Sequence, residues 1–176
     1  MENQLDSIAE LAKTNEQAFN EVFDLCYPLM YRYCFSKVMD QHTAEEIVAD
    51  TFEVIVKKLQ QFDPVKASFK TWIFSILNHK LADYLRKKYR LKQKETNLME
   101  ELAVNLVANS DVDHEILLQQ ILANLEKLPT TEAEVIRLKY YGALTNPEIA
   151  SLLSLTNDSV SVLLSRGLKK MAKILN

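Results

Sequence analysis

Two glycines and four prolines are all that this chain of 176 residues contains, so it has few of the residues that tight turns between strands need. No run of Val, Ile or Thr alternates with polar residues, as a half-buried β-strand would require. Apolar residues make up 48% of the sequence, which is enough to form buried cores. The composition therefore predicts an all-α fold, in one domain or two small ones.

The cysteines and the ends of the sequence indicate the cellular compartment in which we expect the chain. Cys26 and Cys34 lie too far apart on one predicted helix to bridge each other, and their spacing is not that of metal ligands. The N-terminus is polar, and no apolar run approaches the roughly 18 residues of a membrane span. We therefore expect a cytoplasmic chain with no signal peptide, no membrane insertion and no added C-terminal sensor domain.

Positive charge and aromatic rings are concentrated in the segment 62–94, although the whole chain has a net charge of −3. This segment holds nine Lys or Arg, two Asp and six interleaved aromatic residues. Cations neutralise phosphates and rings stack on unpaired bases, so the segment predicts contact with nucleic acid. The alternative is a solvated amphipathic helix whose rings belong to the core.

The other charges fall in blocks of alternating sign. The net charge is −6 over residues 1–61, −8 over 95–134 and +4 over 135–176. Two basic segments separated by acidic ones indicate two DNA-contacting elements, with acidic surfaces left for a protein partner or for solubility.

The first half of the chain predicts three helices. Thr14 and Thr43 begin capping-box patterns, and Pro28 should kink or split the first helix because it lacks an amide donor. The third helix follows a loop at Asp63 and has a buried stripe opposite a polar face. The helices are expected over 16–39, 44–61 and 69–92. The stripe comprises Ile73, Ile76, Leu77, Leu81, Tyr84 and Leu85, and the polar face Ser75, Asn78, His79, Ala82 and Arg86.

The segment 95–114 lacks clear periodicity and basic residues, so we interpret it as an acidic linker between two domains. Its apolar part, 102–108, could alternatively form a short docked helix.

The last third predicts a helix-turn-helix, because a short helix, a tight turn and a longer helix follow one another. Thr131 should cap a helix over 132–141, with Gly142 in the left-handed conformation behind it. Thr145 should cap the short helix ending near Ser154, and Thr156 or Asn157 the final one. The final helix should bury Val160, Leu163, Leu164, Leu168 and Met171, and expose Ser159, Val162, Arg166, Lys169, Lys170 and Lys173.

Three motifs in this order resemble a known family. Residues 43–59 read TAEEIVADTFEVIVKKL, residues 68–88 read SFKTWIFSILNHKLADYLRKK, and residues 128–171 read LPTTEAEVIRLKYYGALTNPEIASLLSLTNDSVSVLLSRGLKKM. They are similar to the second conserved helix, the promoter-melting helix and the C-terminal helix-turn-helix of sigma-70 family factors of the extracytoplasmic-function (ECF) type. The resemblance implies a non-catalytic, cofactor-free subunit that directs core RNA polymerase to promoters and promotes DNA opening.

The resemblance also implies domain limits and site residues. A region 2-like domain would cover 1–94 and a region 4-like domain 115–176, joined by the linker 95–114. The partners would be the clamp and flap of core polymerase, promoter DNA and an anti-sigma factor. Polymerase docking would use Glu45, Glu46, Asp50 and Phe52. Binding and melting of the −10 element would use Phe62, Ser68, Phe69, Lys70, Asn78, His79, Arg86 and Lys87, with Trp72 in the core. Binding of the −35 element would use Thr156, Asn157, Ser159, Val162, Arg166, Lys169 and Lys170.

Four positions depart from the family pattern. His79 stands where the melting helix usually has Asn, and Ala49 stands where the docking helix often has Gln. Ser161 and Leu163 replace the usual Lys and Arg of the recognition helix, which weakens bidentate readout of guanine. We therefore expect no standard promoter consensus, and greater dependence on polymerase for positioning.

The sequence is also compatible with two other classes of protein. A helix-turn-helix regulator that acts without polymerase would explain residues 128–176 but not the aromatic, basic helix. A metalloenzyme is conceivable from His42, Glu46 and Asp50, or from His79 and Asp83, at helical spacing. No nucleophile motif or phosphate-binding glycine loop supports catalysis.

Overall fold

The computed structural model describes residues 2–95 and 120–175, with side chains over 4–91 and 120–175. All regular secondary structure in these ranges is helical, so the all-α prediction is confirmed. The chain divides into two compact units, Met1–Val104 and Asn105–Asn176. Apart from Glu95, the predicted linker 95–114 and its alternative helix 102–108 lie outside the described residues.

The first unit contains four α-helices. They are α1 (Glu2–Ala12), α2 (Glu16–Val38), α3 (Gln41–Lys58) and α4 (Phe69–Glu95), with a 3₁₀ turn at Leu59–Gln61. Helix α2 packs against both α1 and α3, and α3 packs against α4. The core between them includes Val22, Met30, Tyr33, Val48, Ile55, Ile73, Phe74 and Leu77, all essentially inaccessible to solvent. Helix α1 was not predicted from the sequence.

Both predicted capping boxes of this unit are wrong. Helix α2 is capped by Asn15, whose Oδ1 accepts the Ala18 N–H at 3.1 Å. Helix α3 is capped by Asp40, whose Oδ1 accepts the Thr43 N–H at 2.8 Å. Asn and Asp are at least as good N-caps as Thr, so the helices begin where these side chains can reach a free donor.

Pro28 does not split α2, which runs without a break through that position. A proline at this point leaves the carbonyl of Asp24 without its helical donor. Both residues are exposed, so water can satisfy that carbonyl.

The second unit contains helical residues 120–125 (α5), followed by α6 (Thr130–Ile136), a π-helical turn (Arg137–Tyr141), α7 (Asn146–Leu153) and α8 (Asn157–Leu175). Helices α6 and α8 cross closely at Gly167, where an added Cβ would lie 2.7 Å from Ile136 Cδ1. The shared core includes Leu122, Leu125, Leu138, Leu144, Ile149 and Val160.

The start and end of α6 differ from the prediction. The helix begins at Thr130 after Pro129 without a side-chain cap, so Thr131 is not its N-cap. Gly142 has a φ of −84°, and Ala143 takes the left-handed conformation instead, with a φ of 52°. The π turn causes this shift: the Gly142 N–H bonds the Arg137 carbonyl at 3.1 Å, so the chain reverses one residue later.

The helix-turn-helix itself is confirmed. Thr145 forms a capping box with Glu148, and Ser154 ends α7 in the left-handed conformation with a φ of 55°. Thr156 Oγ1 accepts the Ser159 N–H at 3.1 Å, as expected of the cap of α8. Leu168 was expected inside but is 41% exposed.

Candidate polymerase and nucleic-acid interfaces

An acidic stripe runs along the exposed face of α3. Glu46, Asp50 and Glu53 have side-chain exposures of 64%, 63% and 69%, and Ala49 is exposed between them. Glu53 was missed from the sequence, although it lies three residues after Asp50 and therefore on the same helical face. We call Glu46, Asp50 and Glu53 the acidic stripe.

Each acidic side chain of the stripe has one basic neighbour. His42 Nε2 lies 3.4 Å from Glu46 Oε1, Lys80 Nζ lies 3.6 Å from Asp50 Oδ2, and Lys57 Nζ lies 3.5 Å from Glu53 Oε2. Exposed pairs of this kind are weak and exchange readily with a partner's charges. Glu45 is half-buried at the edge of the stripe.

Phe52, expected to dock on polymerase, is 6% exposed. Its ring packs against Phe23 and Tyr27 of α2, with centroid separations of 4.6 and 6.3 Å. Phe52 therefore fixes α3 against α2, beneath the surface that carries the stripe.

The aromatic residues at the two ends of the loop 62–68 are buried beneath the loop. Phe62 and Phe69 are 3% and 0% exposed, and their rings meet edge to face with centroids 5.0 Å apart. Trp72, expected in the core, is half-buried and has its ring 5.5 Å from Phe62 and 5.6 Å from Phe69. These rings form the floor of the loop, so they are not available as exposed stacking platforms.

The tip of the loop is exposed. Val65 is 92% exposed, and its N–H donates to Asp63 Oδ1 at 3.0 Å in a turn closed by that side chain. Lys66 Nζ lies 3.5 Å from Asp63 Oδ2. Ser68, expected to bind DNA, caps α4 by accepting the Thr71 N–H at 3.2 Å. Nothing in the sequence marked Val65, because its exposure depends on the loop's path.

Asn78 and His79 differ in their surroundings on α4. Asn78 Oδ1 accepts a hydrogen bond from the Tyr33 hydroxyl at 2.6 Å, so this amide binds to α2. His79 is exposed, with its Nδ1 2.6 Å from the Ser75 carbonyl. Lys70 is half-buried near the start of the helix. His79 is thus the outward-facing polar group in the middle of α4.

The later part of α4 carries a basic groove. A shallow cavity of about 310 Å³ is lined by Asp83, Arg86, Lys87, Arg90 and Leu91. Arg86 pairs with Asp83, and Lys87 and Arg90 are exposed beside this pair. The groove therefore has a positive balance suited to phosphate.

On α8, several predicted DNA-binding residues are exposed. Val162, Arg166 and Lys169 share one face, and Asn157 is exposed at the start of the helix. The remaining predicted residues have partners within the protein. Thr156 and Ser159 share a hydroxyl contact of 2.8 Å inside the cap. Ser161, one of the four positions that depart from the family pattern, accepts a hydrogen bond from Asn146 at 3.2 Å.

Lys170 is held by a buried carboxylate. Its Nζ lies 2.8 Å from Glu132 Oε1, and the Glu132 side chain is only 8% exposed. The other oxygen, Oε2, is buried without a hydrogen-bond partner among the described residues. Lys170 therefore stabilises the packing of α6 on α8, in addition to any contact with DNA.

Within the described part of the chain, no group of three His, Cys, Asp or Glu could hold a metal ion. Over the same residues, no helix is sufficiently long and apolar to cross a membrane.

Comparison with known proteins identifies the family to which both units correspond. The Sigma-70 region 2 family model matches residues 22–91, and the Sigma-70 region 4 model matches residues 118–171. The two units thus carry the two DNA-binding and polymerase-binding regions of a sigma factor, in the order that the motifs predicted.

Curated relatives and solved structures agree with the family models. The chain is 30% identical over 141 residues to the ECF RNA polymerase sigma factor RpoE of Cereibacter sphaeroides, covering 78% of this chain and 75% of that protein. It is 27% identical over 176 residues to SigW of Bacillus subtilis, covering 94% and 93%. CnrH, solved with the cytosolic domain of CnrY, matches with a TM-score of 0.73 and 23% identity over 97% of both chains. RpoE of Bartonella quintana, solved with the anti-sigma factor NepR, matches with a TM-score of 0.71 and 22% identity over 89% and 96%.

The chain belongs to the ECF sigma factors of the sigma-70 family. It is an RNA polymerase sigma factor, and the alternative of a stand-alone helix-turn-helix regulator is not favoured, because region 2 would have no role in it.

Proposed function

We propose that this sigma factor docks on the clamp of core RNA polymerase through the acidic stripe of α3 and opens promoter DNA with the neighbouring α4. The observation that carries the proposal is the position of two oppositely charged surfaces on adjacent helices of one unit. Asp50 of the stripe and Lys80 of α4 mark their boundary. Acidic side chains suit a basic partner surface, and the basic groove of α4 suits phosphate.

In this proposal the −10 element is bound by the loop 62–68 and the outward face of α4. His79 contacts bases, and Lys70, Arg86 and Lys87 contact the backbone. The exposed Val65 at the loop tip supplies an apolar contact for a base turned out of the stack. A contact that only the unpaired base can make favours the open state, and so biases a weak step towards opening.

The second unit would read the −35 element and contact the polymerase flap. The N-terminal turns of α8 enter the major groove, as recognition helices do. Asn157, Val162 and Arg166 would face base edges and Lys169 a phosphate. We retain residues 1–94 and 115–176 as the functional domains.

We extend the proposal to a protein inhibitor. Two structural neighbours were solved with protein partners, one of which is described as an anti-sigma factor. A partner that covers the acidic stripe would exclude polymerase by direct competition. Loss of core binding on adding such a partner, relieved by excess core polymerase, would support this extension.

Promoter opening by the assembled holoenzyme tests the main proposal. The purified chain and core polymerase are incubated with genomic promoter fragments, and unpaired thymines are mapped by permanganate oxidation. We expect a discrete reactive patch that weakens when Lys87 is replaced by Ala but not when the exposed Lys58, the last residue of α3, is replaced by Ala. Tight duplex binding by the free chain, with no thymine reactivity, would contradict the proposal.

A further inference from the structure

Helix α1 and Lys13, which directly follows it, lie before the segment matched by the region 2 model, yet they contact both ends of the loop 62–68. Asp6 Oδ1 accepts the Phe69 N–H at 2.6 Å, and Lys13 Nζ donates to the Phe62 carbonyl at 2.8 Å. These contacts span 63 and 49 residues of sequence. Each one fixes backbone rather than a side chain.

The Asp6 contact sets the point where α4 begins. Phe69 is the first residue of α4, and the N–H groups of a first helical turn have no acceptor within the helix. Ser68 satisfies the Thr71 N–H, and Asp6 satisfies that of Phe69. A carboxylate at this position also interacts favourably with the positive end of the helix dipole. The C-terminal end of the loop is therefore held by α1.

The Lys13 contact fixes the other end. The Lys13 side chain is only 17% exposed, with its Nζ 2.6 Å from Glu10 Oε1 and 5.7 Å from the centre of the Phe62 ring. In return, Gln60 Nε2 donates to the Lys13 carbonyl at 2.7 Å. The end of α1 and the 3₁₀ turn before the loop are thus locked together.

Between these anchors, Pro64, Val65 and Lys66 are exposed. Phe62 and Phe69 pack on each other below the loop, while Val65 at its tip is 92% exposed. A loop fixed at both ends has fewer conformations to lose when it binds a ligand.

We propose that α1 is a positioning element for the base-binding loop, with Asp6 and Lys13 as positioning residues that hold the loop ready before DNA arrives. This inference rests on the proposed role of the loop in −10 recognition. If the loop adopts its binding conformation for only a fraction of the time, its apparent affinity for DNA is reduced by that fraction. Releasing either anchor should therefore weaken binding of the unpaired −10 strand without affecting docking on polymerase.

A first test follows the loop without DNA. Trp72 is the only tryptophan in the chain and packs against both Phe62 and Phe69. Asp6→Ala and Lys13→Met should make its fluorescence more accessible to quenching by acrylamide. Asp6→Asn, which keeps an equally good capping oxygen, and Gln4→Ala, at an exposed position of α1, should match the wild type.

A second test measures the function. Each variant is assembled with core polymerase and titrated with a single-stranded −10 oligonucleotide, taken from a start site mapped with the wild-type holoenzyme. We expect Asp6→Ala and Lys13→Met to bind about fivefold to tenfold more weakly, with Asp6→Asn within about twofold of wild type. Affinity for core polymerase should be the same in all variants, which also shows that region 2 is folded.

The outcomes distinguish a failure of the positioning role of α1 from a failure of the proposed function of the loop. Wild-type affinity in both Asp6→Ala and Lys13→Met, or equal loss in Asp6→Ala and Asp6→Asn, overturns the positioning role while leaving the sigma factor function intact. If the wild-type holoenzyme shows no affinity for any −10 strand, the proposed function of the loop fails first.

Discussion

The Lys80 ammonium and the Asp50 carboxylate join α4 to α3 across 3.6 Å, at the boundary between the surfaces that we assign to DNA and to polymerase. Their side chains are 35% and 63% exposed. An ion pair in such a setting contributes about 0–1 kcal/mol to stability. Either residue can therefore be changed without unfolding the protein, which makes the pair suitable for separating the two functions.

Asp50→Asn and Lys80→Met should have different effects on polymerase binding. Asp50→Asn removes a charge that the proposal places against the clamp, so affinity for core polymerase should fall several-fold. Lys80→Met leaves that charge in place, so core affinity should be unchanged or higher. Urea unfolding should show that both variants lose less than about 1 kcal/mol. Equal losses of core affinity would contradict the assignment of Asp50.

Lys170→Met should destabilise the second unit by about 1–3 kcal/mol, because it leaves the buried Glu132 without its cation. Adding Glu132→Gln should restore much of this loss, since the amide carries no charge. The matched control is the neighbouring Lys169→Met, which should not change the midpoint of thermal unfolding. Lys169→Met should instead weaken DNA binding and reduce its salt dependence by about one phosphate contact. A stable Lys170→Met variant would show that the Glu132 contact is unimportant.

The two cysteines should be unreactive in the folded protein. Burial raises the pKa of the Cys26 thiol to about 12, partly offset by the Lys70 charge. Burial likewise raises the pKa of the Cys34 thiol to about 12, partly offset by Lys37. The reactive thiolate should therefore be about one part in ten thousand at pH 8. A disulfide reagent should label neither cysteine in buffer and both in urea; fast labelling of the native protein would contradict this.

The cap of α3 should weaken in acid. Hydrogen bonds from Thr43 hold the pKa of Asp40 below its ordinary value of 3.8. Because the folded state favours the ionised form, this contribution is complete above the ordinary pKa and is lost as pH falls through the lowered one. Asp40→Asn keeps a neutral cap, so its unfolding free energy should approach or exceed that of the wild type as pH falls towards 3. A difference between the two proteins that does not vary with pH would rule out this contribution.

Local chemistry in the sequence predicted much of the second unit. Thr145, Pro147 and Glu148 specify the start of α7 within four residues, and the structure has that capping box. The cap at Thr156 also depends only on neighbouring residues. Local patterns could therefore locate the helix-turn-helix without knowledge of its packing.

The failures came from competition between nearby candidates. Thr43 was a good cap, but Asp40 is a better acceptor three residues earlier, and it captures the Thr43 N–H itself. Gly142 would fit a left-handed position, but the π turn moves that position to Ala143. A single sequence does not rank such alternatives, because the choice depends on the register in which the helix packs.

The sequence predicted which segments form the candidate site, but not the burial and contacts of the individual side chains. The acidic stripe and the basic groove follow from helical spacing, whereas the burial of Phe62 and Phe69 depends on how the loop folds over α4. The contact of Asp6 with the first turn of α4 joins distant parts of the chain, and no local pattern indicates it.

Binding of the chain to core RNA polymerase, measured with Glu46→Lys beside the wild type, tests the central claim most directly. Glu46 is exposed at the N-terminal end of the acidic stripe, and Glu21→Lys supplies a charge reversal at an exposed position of α2 as control. We predict tight wild-type binding, at least about tenfold weaker binding for Glu46→Lys and no change for Glu21→Lys. Wild-type affinity in Glu46→Lys would contradict docking through α3, and no binding by the wild type would contradict the assigned function as a whole.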